Sequence, residues 1–342
     1  MNAAAIVKLS LAFVLAMMLA SCTPSGSAIR GDGSPPDPVM GDWQGHRVTR
    51  SGMVVPMAVH SIALGGKSYR FSVHASFDVR EPLPEISFEG MIDGNRLIVA
   101  QHPDWPVTLD NGTVLGRTTL PEAQTFELRH VVRLSPNLGA RPPEGAHVLF
   151  DGSGFSGWER RDEKQRAVPV GWKIMDGVME VVPGAGGIVT KRRFTDFRLH
   201  LEFRTPFMPE ARGQARGNSG VYLQGRYEVQ VLDSYGLTGE DNECGGIYKV
   251  GAPRVNMCAP PGQWQSYDIL FTAPRFDADG KKAKDALVTV VHNGIVIHED
   301  LSVPGPTAEG IDSAVQLPGG ILLQDHGNLV QYRNIWLLEL KP

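Results

Sequence analysis

The sequence predicts an all-β protein of two domains: a two-sheet sandwich of jelly-roll type preceded by a smaller antiparallel β-domain. Three observations lead there. Apolar residues recur at period two in run after run of strand length. Gly and Pro, 39 and 25 of 342 residues, punctuate those runs with turn signals. No stretch keeps a helical period over a convincing length, apart from a turn or two between Thr307 and Asp312. The chain without residues 1–22, roughly 320 residues, is long for one β-domain, which is why two are expected.

The elements follow in chain order. Residues 1–22 open with Lys8 and an apolar run from Leu9 to Ala20, too short to span a bilayer and suited to a signal peptide. The run closes on Leu19-Ala20-Ser21-Cys22, which resembles a lipobox, so Cys22 is the expected lipidation site. Residues 23–37 are Ser, Gly, Pro and Asp with almost nothing to bury, a flexible tether. An exported lipoprotein anchored in the membrane is the expectation. The residue after the cysteine is Thr23 and not the Asp that commonly retains lipoproteins in the inner membrane, which favours the outer one.

From 38 to 134, short alternating runs such as YRFSVHASF, EISFEGMI and FELRHVVRL are separated by turns including Asp93-Gly94. They predict a small antiparallel sheet or partial barrel. Nothing in it offers catalytic chemistry, so accessory packing or substrate capture is its expected use. Residues 135–145, Pro- and Gly-rich, read as a linker. From 146 to 342 the alternation is clearest. In FRLHLEFR, Phe197, Leu199, Leu201 and Phe203 share one face, and Arg198, His200, Glu202 and Arg204 the other. Asn293-Gly294 marks a hairpin turn with positive φ at both positions, and its flanking His292 and His298 read as hairpin surface or cross-strand pairs.

The balance of 33 basic against 37 acidic residues, net charge −4, with no basic run, excludes nucleic acid as a partner. With Cys22 committed to lipid, Cys244 and Cys258 remain in an oxidising compartment, and a disulfide between them is expected over two buried free thiols. A cysteine-based zinc site lacks the paired spacing it needs.

In GNSGVYLQGRYEVQVLDSYG, residues 217–236, two alternating runs flank a turn at Gly225-Arg226. If Val229 and Val231 face the core, Glu228 and Gln230 project from the outer surface of the sheet, beside Tyr222 and Gln224 of the preceding strand. Arg204, Glu202 and His200 extend this polar array if their strand lies in the same sheet. Solvated sheet faces favour Lys, Thr and Ser. A face of Glu, Gln, Tyr, Asn and Arg suits a sugar-binding groove better.

The order LFDGSGFSGW, DGVMEV, FTDFRLHLEFR, GNSGVYLQGRYEVQVLDSYG, CGGIY, PPGQWQSYDI, VVHNGIVIH and LLQDHGNLVQYRNIWL resembles the 3-keto-disaccharide hydrolase family across 146–342. Residues 41–145 are similar, more weakly, to an N-terminal β-module of some members. The resemblance implies a concanavalin A-like jelly roll and a substrate that is a glycoside already oxidised to a ketone at C3. Such a ketone acidifies the C2 proton, so a base can remove it, the C1 substituent can leave, and water can add to give net hydrolysis. One base, one acid and a group to hold the enolate are then required, and the two flanking carboxylates of ordinary glycosidases are not. The ExDxxE signature of one such class of β-glucan hydrolases is absent.

His326, in the turn QDHG, is the candidate base, with Asp325 as its rival. Asp233 and Glu228 are the acidic partners. Arg204, Asn218, Tyr222, Gln224, Gln230 and Gln324 are the candidate substrate-binding residues. Glu228, Asp233 and His326 together have the donor types for calcium, manganese or zinc, although no HExxH or EF-hand spacing supports one, so the cofactor stays open. Arg333 reads as structural. The alternative function is a carbohydrate-binding lipoprotein without catalysis.

Overall fold

Strands alternate because β-branched and aromatic residues occupy every second position, and the two faces of each strand then meet different surroundings. The computed structural model describes residues 37–341 except 78–83, 101, 103–104, 111, 119–123, 163, 165, 312–314 and 316–317. The signal segment, Cys22 and nearly all of the tether lie outside the described residues.

The first eight strands are β1 (Gly41–Val48), β2 (Val54–Gly65), β3 (Ser68–His74), β4 (Ile86–Asp93), β5 (Arg96–Ile98), β6 (Val107–Asp110), β7 (Thr113–Thr118) and β8 (Gln124–Val131). Each pairs antiparallel with the next, and β1 pairs with β8, so they form a closed barrel. The choice left open between a sheet and a partial barrel is thus decided for closure, which removes both edges. Trp43, Val59, Phe71, Val73, Val107 and Leu128 are buried in it.

The remaining strands are β9 (His147–Phe150), β10 (Trp158–Arg161), β11 (Ala167–Val168), β12 (Lys173–Met175), β13 (Val178–Glu180), β14 (Ile188–Thr190), β15 (Phe197–Arg204), β16 (Ser219–Leu223), β17 (Tyr227–Val231), β18 (Gln265–Thr272), β19 (Arg275–Phe276), β20 (Lys282–Lys284), β21 (Ala286–His292), β22 (Ile295–Val303), β23 (Leu322–Leu323) and β24 (Gln331–Glu339). A six-stranded sheet runs β11-β10-β14-β23-β16-β17, and an eight-stranded sheet runs β12-β13-β24-β15-β18-β21-β22 with β9 beside β24. The two make the jelly-roll sandwich. Val221, Leu223, Val229 and Val231 of one sheet and Leu199, Leu201, Phe203, Ile269 and Phe271 of the other are fully buried between them. Asn293 and Gly294 have φ of 49° and 82°, as the tight turn between β21 and β22 demands.

Four sequence-based expectations need correcting. Residues 307–311 hold one turn, at 308–309, and no helix, and the helix among the described residues is a single 3-10 turn, Gly213–Ala215. Residues 135–140 are no loose linker, because they strap across the outer face of the eight-stranded sheet. Ser135 Oγ meets Ser266 Oγ at 2.6 Å, Asn137 Nδ2 donates to Asp268 at 2.7 Å, and the Gly139 amide donates to Glu202 at 2.6 Å. Ala140 O accepts from Trp336 Nε1 at 3.0 Å. Cys244 and Cys258 are two free buried thiols and not a disulfide. Cys244 Sγ lies 3.2 Å from Tyr267 Oη, and Cys258 donates to Leu232 O at 3.4 Å. His292 and His298 are buried, His292 against Gln265 at 2.9 Å and His298 against Gly245 O at 2.8 Å.

Candidate active site

The site is built on the outer face of β16 and β17. Register pairs Gly220 with Gln230 and Tyr222 with Glu228, so these four share one face while Val221, Val229 and Val231 take the core. Gly220 is needed here. A Cβ on it would lie 2.4 Å from Glu228 Oε1 and 2.9 Å from the Tyr222 ring, so the missing side chain is the space in which the Glu228 carboxyl rests.

The face is not open to solvent. Residues 245–248 run along the free edge of β17, with Gln230 N donating to Gly246 O at 2.9 Å and Tyr248 N to Glu228 O at 3.2 Å. Thr307 covers it from another side, its hydroxyl accepting from the Glu228 amide at 3.0 Å. The Tyr222 hydroxyl sits between the Glu228 carboxyl, the Ala308 carbonyl at 3.3 Å and the Gln324 amide, which donates to it at 3.2 Å. Gln324 Nε2 also donates to Glu309 at 2.9 Å. Glu228 and Tyr222 are therefore buried, whereas Gln324 and Glu309 form a rim.

Burial pushes the Glu228 carboxyl up to about 8; Tyr222 opposes the rise and the Glu309 charge adds to it. The Tyr222 hydroxyl is raised far above its ordinary range by burial and by Glu228. A carboxyl that keeps its proton near neutrality can act as an acid, and one that titrates there can shuttle protons.

His326 is exposed, in the loop that leaves β23. Both ends of that loop are tied to the start of β16. Gln324 N donates to Gly220 O at 3.0 Å, and Asn328 Oδ1 accepts from Asn218 N at 2.7 Å. The loop bearing His326 and the Glu228 carboxyl thus share Gly220 as an anchor. Asp325 holds the loop from within, accepting from the Gly327 and Gly186 amides at 2.9 Å each.

The other predicted residues divide. Asn218 and Gln230 are at the site but buried, their amides meeting Gln214: Asn218 Nδ2 donates to Gln214 O at 2.8 Å, and Gln230 Nε2 to Gln214 Oε1 at 3.1 Å. Asn218 Oδ1 and Gln324 Oε1 are buried acceptors without a hydrogen-bond partner among the described residues. Gln224 belongs instead to the turn, with φ of 54°, and its amide donates to Phe194 O at 2.9 Å. Arg204 lies in β15 of the other sheet, bonded to Gln331 and 4.7 Å over the Trp264 ring, so the condition on which it joined the array is not met. Glu202 and His200 go with it, under the strap. Glu202 accepts from Arg333 at 2.6 Å, and His200 Nδ1 meets Asp268 at 3.0 Å.

Asp233 is also removed from the site. It is buried and accepts from Arg216 Nε at 2.7 Å, while Arg216 reaches the barrel by donating to Ala63 O at 3.2 Å. Burial raises the Asp233 carboxyl and the Arg216 charge opposes the rise. The metal trio of Glu228, Asp233 and His326 therefore does not converge, and among the described residues no group of three such ligands is placed to hold an ion. Glu309, Gln214 and Asn328 were missed by sequence reading, because they reach the site from loops and a single 3-10 turn that carry no periodic signal.

Residues 145–338 match the family described as 3-keto-alpha-glucoside-1,2-lyase-like. This chain belongs to that family. The chain is accordingly a carbohydrate-processing one. A solved structure from Parabacteroides distasonis, named as a proposed glycosyl hydrolase, is 41% identical, with a TM-score of 0.52 over 58% of this chain and 85% of that one. A second structure so named from the same organism is 24% identical, with a TM-score of 0.42 over 58% of this chain and 95% of the other. Comparison with curated proteins gives no match. The match begins at residue 145, so the barrel stands outside it.

Proposed function

We propose that the chain cleaves glycosides carrying a ketone at C3. A base removes the C2 proton, and the electron pair of that C–H bond is held by the C3 ketone as an enolate. The enolate then expels the C1 oxygen substituent, which takes up a proton, and C1 and C2 are left doubly bonded. Water adds across that bond, hydroxyl to C1 and hydrogen to C2, so the balance is one hydrolysis. The observation that supports this reading is the Glu228 carboxyl, buried over Gly220 beside Tyr222 and raised to about 8, next to the loop carrying His326. In this reading His326 takes the C2 proton and Glu228 supplies the proton to the leaving oxygen. The family description, a 1,2-lyase of 3-keto-glucosides, names an elimination across the same two carbons.

The test sets 3-keto-trehalose and methyl 3-keto-α-glucoside against the unoxidised sugars, with and without chelator, in deuterated water. Cleavage of the ketone forms alone, with deuterium entering at C2, is expected. Equal cleavage of oxidised and unoxidised sugars would make the enzyme an ordinary glycosidase, and binding without product would make it a lectin. A lipid on Cys22 belongs to the same proposal, since an anchored enzyme would meet sugars outside the cytoplasm. Cys22→Ser is expected to move the protein from the membrane to the soluble fraction, and unchanged fractionation would refute the anchor.

A further inference from the structure

A cavity of about 620 Å³ lies between the barrel and the sandwich and not at Glu228. Its barrel wall is a polar row in register across four strands, Asp42 of β1 with His60 of β2, His60 with Ser72 of β3, and Ser72 with Ser87 of β4. Such a row on an outer barrel face would ordinarily meet bulk water. Here the sandwich segments 236–238 and 255–260 stand opposite it. The walls are fixed to each other by Tyr235 Oη, which donates to Asp42 at 2.6 Å, and by Arg212, which donates to Leu64 O at 2.7 Å.

The chemistry of the row is set by Asp42. Its carboxylate accepts from Tyr235, from Arg133 Nε at 2.6 Å and from His60 Nδ1 at 2.7 Å. Because Nδ1 donates to a carboxylate, His60 carries its proton there, and its Nε2 is an acceptor with no hydrogen-bond partner among the described residues. Phe77 and Tyr235 hold the ring, 4.9 Å and 5.3 Å away between centroids. Arg133 lies 4.3 Å over Phe77, with Nε rather than its terminal nitrogens meeting Asp42 at 2.6 Å. The Asp42–Arg133 and Arg70–Glu89 pairs cancel in charge. What remains is a fixed acceptor, guanidinium donors, the Ser72 and Ser87 hydroxyls and the exposed Gln44 amide around a space of ligand size.

We infer that this cleft is a second binding site, for a neutral saccharide, with His60 Nε2 accepting from a sugar hydroxyl and Arg133 donating to another. An ionic ligand would find no uncompensated charge in the row. The inference does not depend on the reaction proposed at Glu228, since it concerns binding by the barrel side. It also gives the barrel a use for which its sequence shows no motif.

Calorimetric titration of the full chain with trehalose, methyl α-glucoside and cellobiose tests it, using wild type, His60→Leu, Ser87→Trp and Glu228→Gln. Ser87 is exposed on its strand, so an indole there fills the cleft without disturbing a core position. At least one sugar should bind wild type, with affinity falling about tenfold or more in H60L and S87W, the worth of one or two hydrogen bonds. Binding by E228Q should stay within about twofold of wild type. Binding that S87W leaves intact, or that only E228Q abolishes, would overturn the inference. So would absence of sugar binding to wild type, or binding of inorganic phosphate in place of sugar. If a melt shows H60L unfolded, S87W decides the question.

Discussion

Replacing Glu228 by Gln tests the electrostatic core of the site. In the unfolded chain this carboxyl titrates at 4.5, whereas in the folded protein burial moves it to about 8. Between those values the folded state holds a proton that the unfolded state has lost, so stability falls as pH rises. The sign follows from a raised folded value: the contribution is complete below 4.5 and is lost as pH climbs through about 8. At about 1.4 kcal/mol per pH unit, the whole interval is worth on the order of 5 kcal/mol. Gln cannot titrate, so E228Q should lack this slope. Urea denaturation followed by tryptophan fluorescence from pH 5 to pH 8 should show wild type losing about 4 kcal/mol relative to E228Q across that range. Parallel stability curves for the two proteins would mean that Glu228 is ionised at its ordinary pH, and the assignment of an acid with a retained proton would fall with it.

Other consequences can be measured in the same preparations. Gly220→Ala puts a methyl group 2.4 Å from Glu228 Oε1, so the carboxyl must move and turnover of a 3-keto-glycoside should drop by more than about tenfold; wild-type turnover would show that the carboxyl need not rest there. His326→Ala should cut turnover by about a hundredfold or more while changing stability by less than about 0.5 kcal/mol, because the side chain is exposed. Full activity in that variant would remove it as the base. Asp233→Asn strips the charge from a buried pair and should lower stability by about 3 kcal/mol with turnover per folded molecule kept. Unchanged stability with lost turnover would return Asp233 to the chemistry.

Alternation was enough to place several of these residues. Glu228 and Gln230 differ from Val229 and Val231 by one position, and a strand allows only two directions, so their shared outer face follows from the sequence. The same parity argues against Asp233, which stands an odd number of residues from Glu228. The chain has left β17 by then, and the residue is buried against Arg216. Its carboxylate chemistry looked more telling than its position, and position decided. Arg204 shows a different limit. Its strand could be read, but the sheet to which that strand belongs depends on pairing with β18 and β24, partners about 60 and 130 residues away whose choice leaves no local trace. Residues 135–140 mislead for a related reason. Pro and Gly report backbone freedom, and only the buried acceptors Glu202 and Asp268 show why this segment is pinned.

Composition, period and turn residues therefore determined the β class, the hairpins and the face on which Glu228 stands, since these depend on neighbours a few positions apart. Tertiary structure alone decided that the first domain closes into a barrel, that Glu228 is roofed over and so retains its proton, and that Asp42 and His60 look into a cleft. Each of those depends on what packs against a face from far along the chain, and burial, which sets both proton affinity and the cost of an unpaired polar atom, is a property of that packing.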